Sequence, residues 1–100
     1  MGFAAESALK SWFADMMFFS VNSVDAENGL TDQGEEIAQV KMAMLQQAKH
    51  TVLLADSGKF GHTSAYRLAP ADVTTIVTDE NPIFEQPCWK EYRQKMVFAK

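Results

Sequence analysis

The segment Thr51-Val-Leu-Leu-Ala-Asp-Ser-Gly-Lys-Phe-Gly61 joins an apolar run rich in β-formers to a polar loop with two glycines. Thr51 to Ala55 is short and nearly continuous in its apolar character. Such a run suits a strand covered on both faces, as in a parallel sheet. The loop after it carries an acid, a hydroxyl and an ammonium in Asp56, Ser57 and Lys59. Gly58 and Gly61 permit a tight turn or close approach of a ligand to the backbone. Ligands of open α/β sheets bind outside the carboxyl ends of the strands, which makes this loop the leading candidate for a site. A plain surface turn can have the same composition, and fold context alone does not make a site.

The rest of the chain sets the bounds. One hundred residues make one domain or part of one. With 47% hydrophobic residues there is material for a core, although a domain of this size buries only about two-thirds of its unfolded surface. The formal charge is −4, and the nine basic residues are scattered. Gripping nucleic acid requires clustered Lys and Arg, so this polypeptide is not itself expected to hold DNA. No apolar run approaches the ~20 residues of a membrane span, and no secretory signal opens the chain. Cys88 is alone and cannot form an internal disulfide, so the cytoplasm is the expected compartment. Nothing in the residue pattern asks for a metal or a cofactor.

Outward from the central segment, periodicity alternates between helix and strand. On the amino-terminal side, Asp32 opens a helix in which Ile37, Val40, Met44 and Ala48 form a stripe. Glu35, three residues after Asp32, fits a capping box with an acidic N-cap. Before it, Asn22 to Thr31 is the most polar stretch, with a strong turn signal at Asn28-Gly29. Met16 to Val21 is a second apolar run of strand length, and Phe3 to Phe13 has the spacing of an amphipathic helix. On the carboxyl-terminal side, residues 62–69 suit either a short strand or a helical turn. Val73 to Thr78 is β-branched almost throughout and reads as a strand. Ile83 to Lys95 reads as an amphipathic helix interrupted by Pro87, and Met96 to Ala99 as a last short strand.

This α-β-α-β-(short)-β-α-β pattern predicts an α/β fold with a mostly parallel sheet and flanking helices. The carboxyl ends of the three main strands then share one rim. That rim gathers Asn22 and Asp25 after the first strand, Asp56, Ser57 and Lys59 after the second, and Asp79 after the third. Acids and amides bind hydroxyls, and an ammonium with backbone N–H groups binds phosphate. A polyol or sugar phosphate is the ligand class that fits. Polar exits are also what any α/β domain has.

Several separated motifs resemble the DeoR-type family of bacterial repressors of sugar operons. They are Phe13-Ala-Asp-Met-Met-Phe-Phe, Gly29-Leu-Thr, Glu35-Glu-Ile-Ala-Gln-Val-Lys41, Leu54-Ala-Asp-Ser-Gly-Lys-Phe-Gly61 and Ile76-Val-Thr-Asp79. They stand in the family's order and spacing over residues 3 to 80. The resemblance implies that residues 1–100 are the C-terminal portion of an effector-binding domain. The implied fold is part of one shared with ribose-phosphate isomerases, glucosamine-phosphate deaminases and CoA transferases. The implied role is to sense a phosphorylated sugar, with DNA bound only through a separate N-terminal helix-turn-helix that this chain does not contain. By the resemblance, Asp56 and Lys59 lie in the ligand loop, and Asp25 takes an acidic position after the preceding strand. The chain departs from the family at Ser20-Val-Asn-Ser-Val24, where the family has a glycine-rich turn.

The resemblance makes this chain a non-enzymatic, sugar-sensing part of a transcriptional repressor. The alternative is a fragment of a sugar-phosphate isomerase-like enzyme with Asp25 as base and Lys59 as anion anchor. A parallel-sheet domain present only in part is also expected to self-associate, covering strand edges and apolar faces with a second copy.

Overall fold

The computed structural model describes residues 14–68 and 73–99. The helix expected at Phe3 to Phe13 lies outside them. Four strands form a fully parallel sheet in the order β1-β4-β6-β7: β1 is Ala14–Phe19, β4 Ala48–Leu54, β6 Thr75–Asp79 and β7 Met96–Ala99. Each apolar run singled out in the sequence is a strand, with ends shifted by a few residues. The α/β architecture with a parallel sheet is as expected.

Cα partners across the parallel strands put their side chains on the same face. One face carries Met17, Phe19, Leu53 and Ile76, all buried. Against it pack α1 (Glu35–Gln46), through Ala38 and Leu45, and an aromatic group of Phe60, Phe84 and Trp89. Ring centroids in that group lie 4.9 to 6.2 Å apart in edge-to-face arrangements, the geometry that aromatic quadrupoles favour.

Three expectations need correction. First, Asn22 to Thr31 is not simply a loop. It contains a hairpin of β2 (Ser23–Asp25) and β3 (Gly29–Asp32), turning at Asn28-Gly29. With β5 (Tyr66–Arg67) it forms a second, antiparallel sheet. Thr31 is buried and holds this sheet to the segment after Phe60: its Oγ1 accepts from the Ser64 N–H at 2.8 Å. Gly61 then donates its N–H to the Val24 carbonyl at 2.8 Å.

Second, Asp32 does not cap α1. Gly34 is the N-cap residue and makes no side-chain cap. Asp32 ends β3, is 2% exposed and forms an ion pair with Lys41 at 2.8 Å. Buried charge demands a partner, and that demand outweighs a helix-end hydrogen bond.

Third, the helix expected over Ile83 to Lys95 is broken into pieces. Pro82–Glu85 and Pro87–Trp89 are 3-10 turns, and only Lys90–Arg93, α2, is α-helical. A proline starts each 3-10 turn, where its fixed φ fits and its missing N–H is not needed.

Candidate functional site

The loop after β4 is built from its own side chains. Asp56 caps a 3-10 turn over Ser57–Lys59, its carboxylate accepting the Gly58 N–H at 2.9 Å. A Cβ on residue 58 would stand 3.0 Å from that carboxylate oxygen, so the close approach depends on glycine. The turn delivers Phe60 into the aromatic group, which fixes the height of the loop above the sheet.

Ser57 joins this loop to the neighbouring strand exit. Its N–H and its hydroxyl both donate to the Asp79 carboxylate, each at 2.7 Å. Asn81 adds a third link, donating to the Ser57 hydroxyl at 3.1 Å. The Ser57 hydroxyl, and then its N–H, hold the Asp79 carboxyl below its ordinary value of 3.8. Asp79 is exposed, yet both of its oxygens are occupied by Ser57.

Lys59 is half-buried, and its ammonium has no hydrogen bond or carboxylate partner among the described residues. One oxygen of Asp56 is likewise uncommitted. A cation and an acceptor thus stand free on a loop whose other polar groups are fixed.

The exit of β1 lies on the far side of β4 in the same sheet. Asn22 is exposed there, its N–H donating to Asp32 at 2.8 Å and its side-chain oxygen accepting from Gln33 at 3.3 Å. Lys41 reaches the same place from α1, donating to the Ser20 carbonyl at 2.6 Å as well as to Asp32. Lys41 was not singled out from the sequence as a site residue. Its signal was its place in the Glu35-to-Lys41 motif, which spacing alone does not connect to Ser20. Asp25 is differently placed: it ends β2 at the hairpin turn, and its carboxylate accepts both the Asn28 N–H at 2.9 Å and the Asn28 amide at 2.8 Å.

Of the six residues read from the sequence, Asp56, Ser57, Lys59 and Asp79 thus come together in one bonded unit. Asn22 stands on the adjoining strand exit, and one oxygen of Asp25 is taken up in its own turn. Beside the Asp79 exit a shallow groove of about 600 Å3 opens, lined by Glu80, Asn81, Phe84, Arg93 and Phe98 among others.

Comparison with known proteins is consistent across its parts. The family profile of the DeoR C-terminal sensor domain matches residues 1–80. The chain is 37% identical over 75 residues to the HTH-type transcriptional repressor GlcR of Bacillus subtilis, covering 74% of this chain and 29% of that protein. It is 32% identical over 97 residues to the uncharacterized HTH-type transcriptional regulator FruR of the same organism, covering 97% of this chain and 38% of that one. It is 28% identical over 100 residues to the glycerol-3-phosphate regulon repressor of Haemophilus influenzae, covering 99% of this chain and 39% of that one. The chain spans less than two-fifths of the length of these relatives. With four-fifths of its residues matched by the family profile, the chain belongs to the DeoR C-terminal sensor domain family.

Proposed function

We propose that this chain is the effector-sensing part of a DeoR-type transcriptional regulator of carbohydrate metabolism, and that its effector is a phosphorylated sugar. The observation that carries the proposal is the uncommitted Lys59 ammonium on a loop whose geometry Ser57 and Asp79 fix. Such a loop presents charge without reorganising on binding, which is how a small anion is held selectively. Lys59 takes the phosphate. Asp56 and Asn22 accept and donate to sugar hydroxyls. Asp79 and Ser57 hold the loop in place rather than meet the ligand.

In this reading DNA is bound by a separate helix-turn-helix segment of the regulator, and the protein works in the cytoplasm. The names of the relatives, which are those of transcriptional regulators, support a non-enzymatic role. The isomerase-like alternative would use Asp25 as a base, but one oxygen of that carboxylate is tied to Asn28 in the hairpin turn.

Self-association belongs to the same proposal. The second sheet face carries Met16, Phe18, Leu54 and Val97, which are 52%, 61%, 43% and 54% exposed. Parallel sheets are ordinarily covered on both faces, so a second copy laid on this face would remove that surface from water.

Titration calorimetry tests the effector class. The chain is titrated with hexose 6-phosphates, hexose 1-phosphates and glycerol 3-phosphate, and with the same sugars lacking phosphate. Saturable binding confined to phosphorylated compounds is expected. Equal binding of a sugar and its phosphate would overturn the proposal.

A further inference from the structure

A second cleft lies toward the amino-terminal end of β6, away from the strand exits. It holds about 220 Å3 and is enclosed by the β2–β3 turn, β5, the start of β6 and the segment around α2. Its floor is apolar, with Leu30, Leu68, Val73 and Ile76 all buried there. Arg67 and Lys95 line it as well. Both are exposed, and among the described residues neither side chain has a hydrogen bond or a carboxylate within 4.0 Å.

Charges of both signs meet at this cleft. Glu27 is the only carboxylate among the described lining residues. The nearby Asp25 holds Asn28 through one carboxylate oxygen and keeps its negative charge. Tyr92 forms part of the wall, its hydroxyl donating to the Asp25 carbonyl at 3.3 Å. Burial, followed by the charges of Asp25 and Glu91, pushes the Tyr92 phenol up, while Arg67 acts in the opposite direction. The guanidinium therefore lies within electrostatic reach of the phenol. At the turn, Gly29 has φ +79° and nothing stands within 4 Å of where a Cβ would be, so that part of the site is bare backbone.

These features narrow the occupant. Arg67 and Lys95 have no partner among the described residues and are the groups left to hold a ligand, which makes that ligand an oxyanion, and the planar guanidinium suits carboxylate and phosphate alike. The apolar floor selects an anion with a carbon body. The volume is below the roughly 300–1,000 Å3 of pockets for drug-sized ligands, which limits the body to a few atoms. We propose that this cleft binds a small organic oxyanion, gripped by Arg67 and Lys95, with its carbon body on Leu30, Leu68 and Ile76. The site is independent of the Lys59 loop, so the domain holds two anions at once.

Amide NMR of the chain titrated separately with butyrate, propyl phosphate and inorganic phosphate tests this. Saturable shifts at Gly29, Leu30, Leu68 and Ile76 are expected with at least one organic anion. The comparison of butyrate with propyl phosphate identifies the oxyanion. Inorganic phosphate, which lacks a carbon body, binds there at least tenfold more weakly. Arg67→Gln and Lys95→Gln each weaken the organic anion about tenfold or more, as expected for a charge-assisted contact. Both side chains are exposed and have no partner among the described residues, so the variants keep the fold. Lys59→Ala leaves this binding unchanged. Absence of saturable shifts at the cleft up to about 10 mM of either organic anion would overturn the proposal. So would binding retained in the Arg67→Gln/Lys95→Gln double variant, or shifts confined to the Asp56–Lys59 loop that vanish in Lys59→Ala. A failure here leaves the reading of the Lys59 loop intact, because that loop is tested with sugar phosphates and at different amides.

Discussion

Ser57 gives Asp79 two hydrogen bonds, from its N–H and its hydroxyl, each 2.7 Å long, and so ties the exit of β4 to the exit of β6. The exits of two adjacent parallel strands are thereby held at fixed separation beneath the candidate ligand loop. The ionised form of Asp79 is the one that accepts both bonds, which is why its carboxyl is held below 3.8.

This tie has a pH signature. A carboxylate with a depressed folded-state pKa contributes stability that is present above its unfolded value and lost as pH falls through the folded value. The urea midpoint of the chain should therefore exceed that of Asp79→Asn at pH 6 to 7. The gap should close as the pH falls below about 3.8. A gap that persists unchanged at the lowest pH where the protein still folds would show that the ionised tie is not its source.

The Asp32–Lys41 pair is a second test of structure. Asp32 is 2% exposed and accepts from Lys41 and from the Asn22 N–H. Removing one partner of a buried pair leaves an uncompensated charge. Lys41→Met should destabilise the chain by about 3 kcal/mol, and Asp32→Asn in the same background should recover part of the loss. Denaturant unfolding of the two variants measures both effects.

Gly61 connects the loop after β4 to the second sheet with φ +90°, and a Cβ there would stand 3.4 Å from Ile83 Cδ1. Gly61→Ala should cost about 1–2 kcal/mol from the left-handed backbone alone. Phe60→Ala should cost about 3–5 kcal/mol, the range for deleting a buried aromatic ring. If thermal unfolding shows Gly61→Ala to be neutral, that backbone conformation is not required.

The sheet was legible in the sequence because its strands are apolar runs of the right length, and Met96–Ala99 is found as read. The hairpin was not read as strands because each strand buries a single apolar residue, Val24 or Leu30, beside the polar Ser23, Thr31 and Asp32, which leaves no apolar alternation to see. Their partners lie in distant segments, at Ser64 and Lys41. The apolar spacing around Trp89 and Tyr92 resembled a helix, but the two prolines divide that stretch into separate turns. In the candidate site, the loop residues followed from their position after a strand. That Asp79 serves Ser57, and that Asp25 serves Asn28, depended on side-chain geometry that residue type does not specify.

Phe18 tests self-association. It is 61% exposed on the same sheet face as Met16, Leu54 and Val97. Sedimentation velocity over a range of micromolar concentrations should show association of the chain, and Phe18→Glu should reduce it by placing a charge in the apolar contact. Equal association of the two proteins would move the interface elsewhere, and a monomer at every concentration would remove it.

The central claim is that Lys59 is the anion contact of the sensor, and calorimetry on Lys59→Ala tests it most directly. The tightest-binding sugar phosphate should lose about 1.5–3 kcal/mol of binding free energy, the range for a charge-assisted hydrogen bond, or roughly ten- to hundredfold in Kd. The urea midpoint should be unchanged, since the ammonium has no partner among the described residues. A Kd equal to that of the unsubstituted chain would contradict the account.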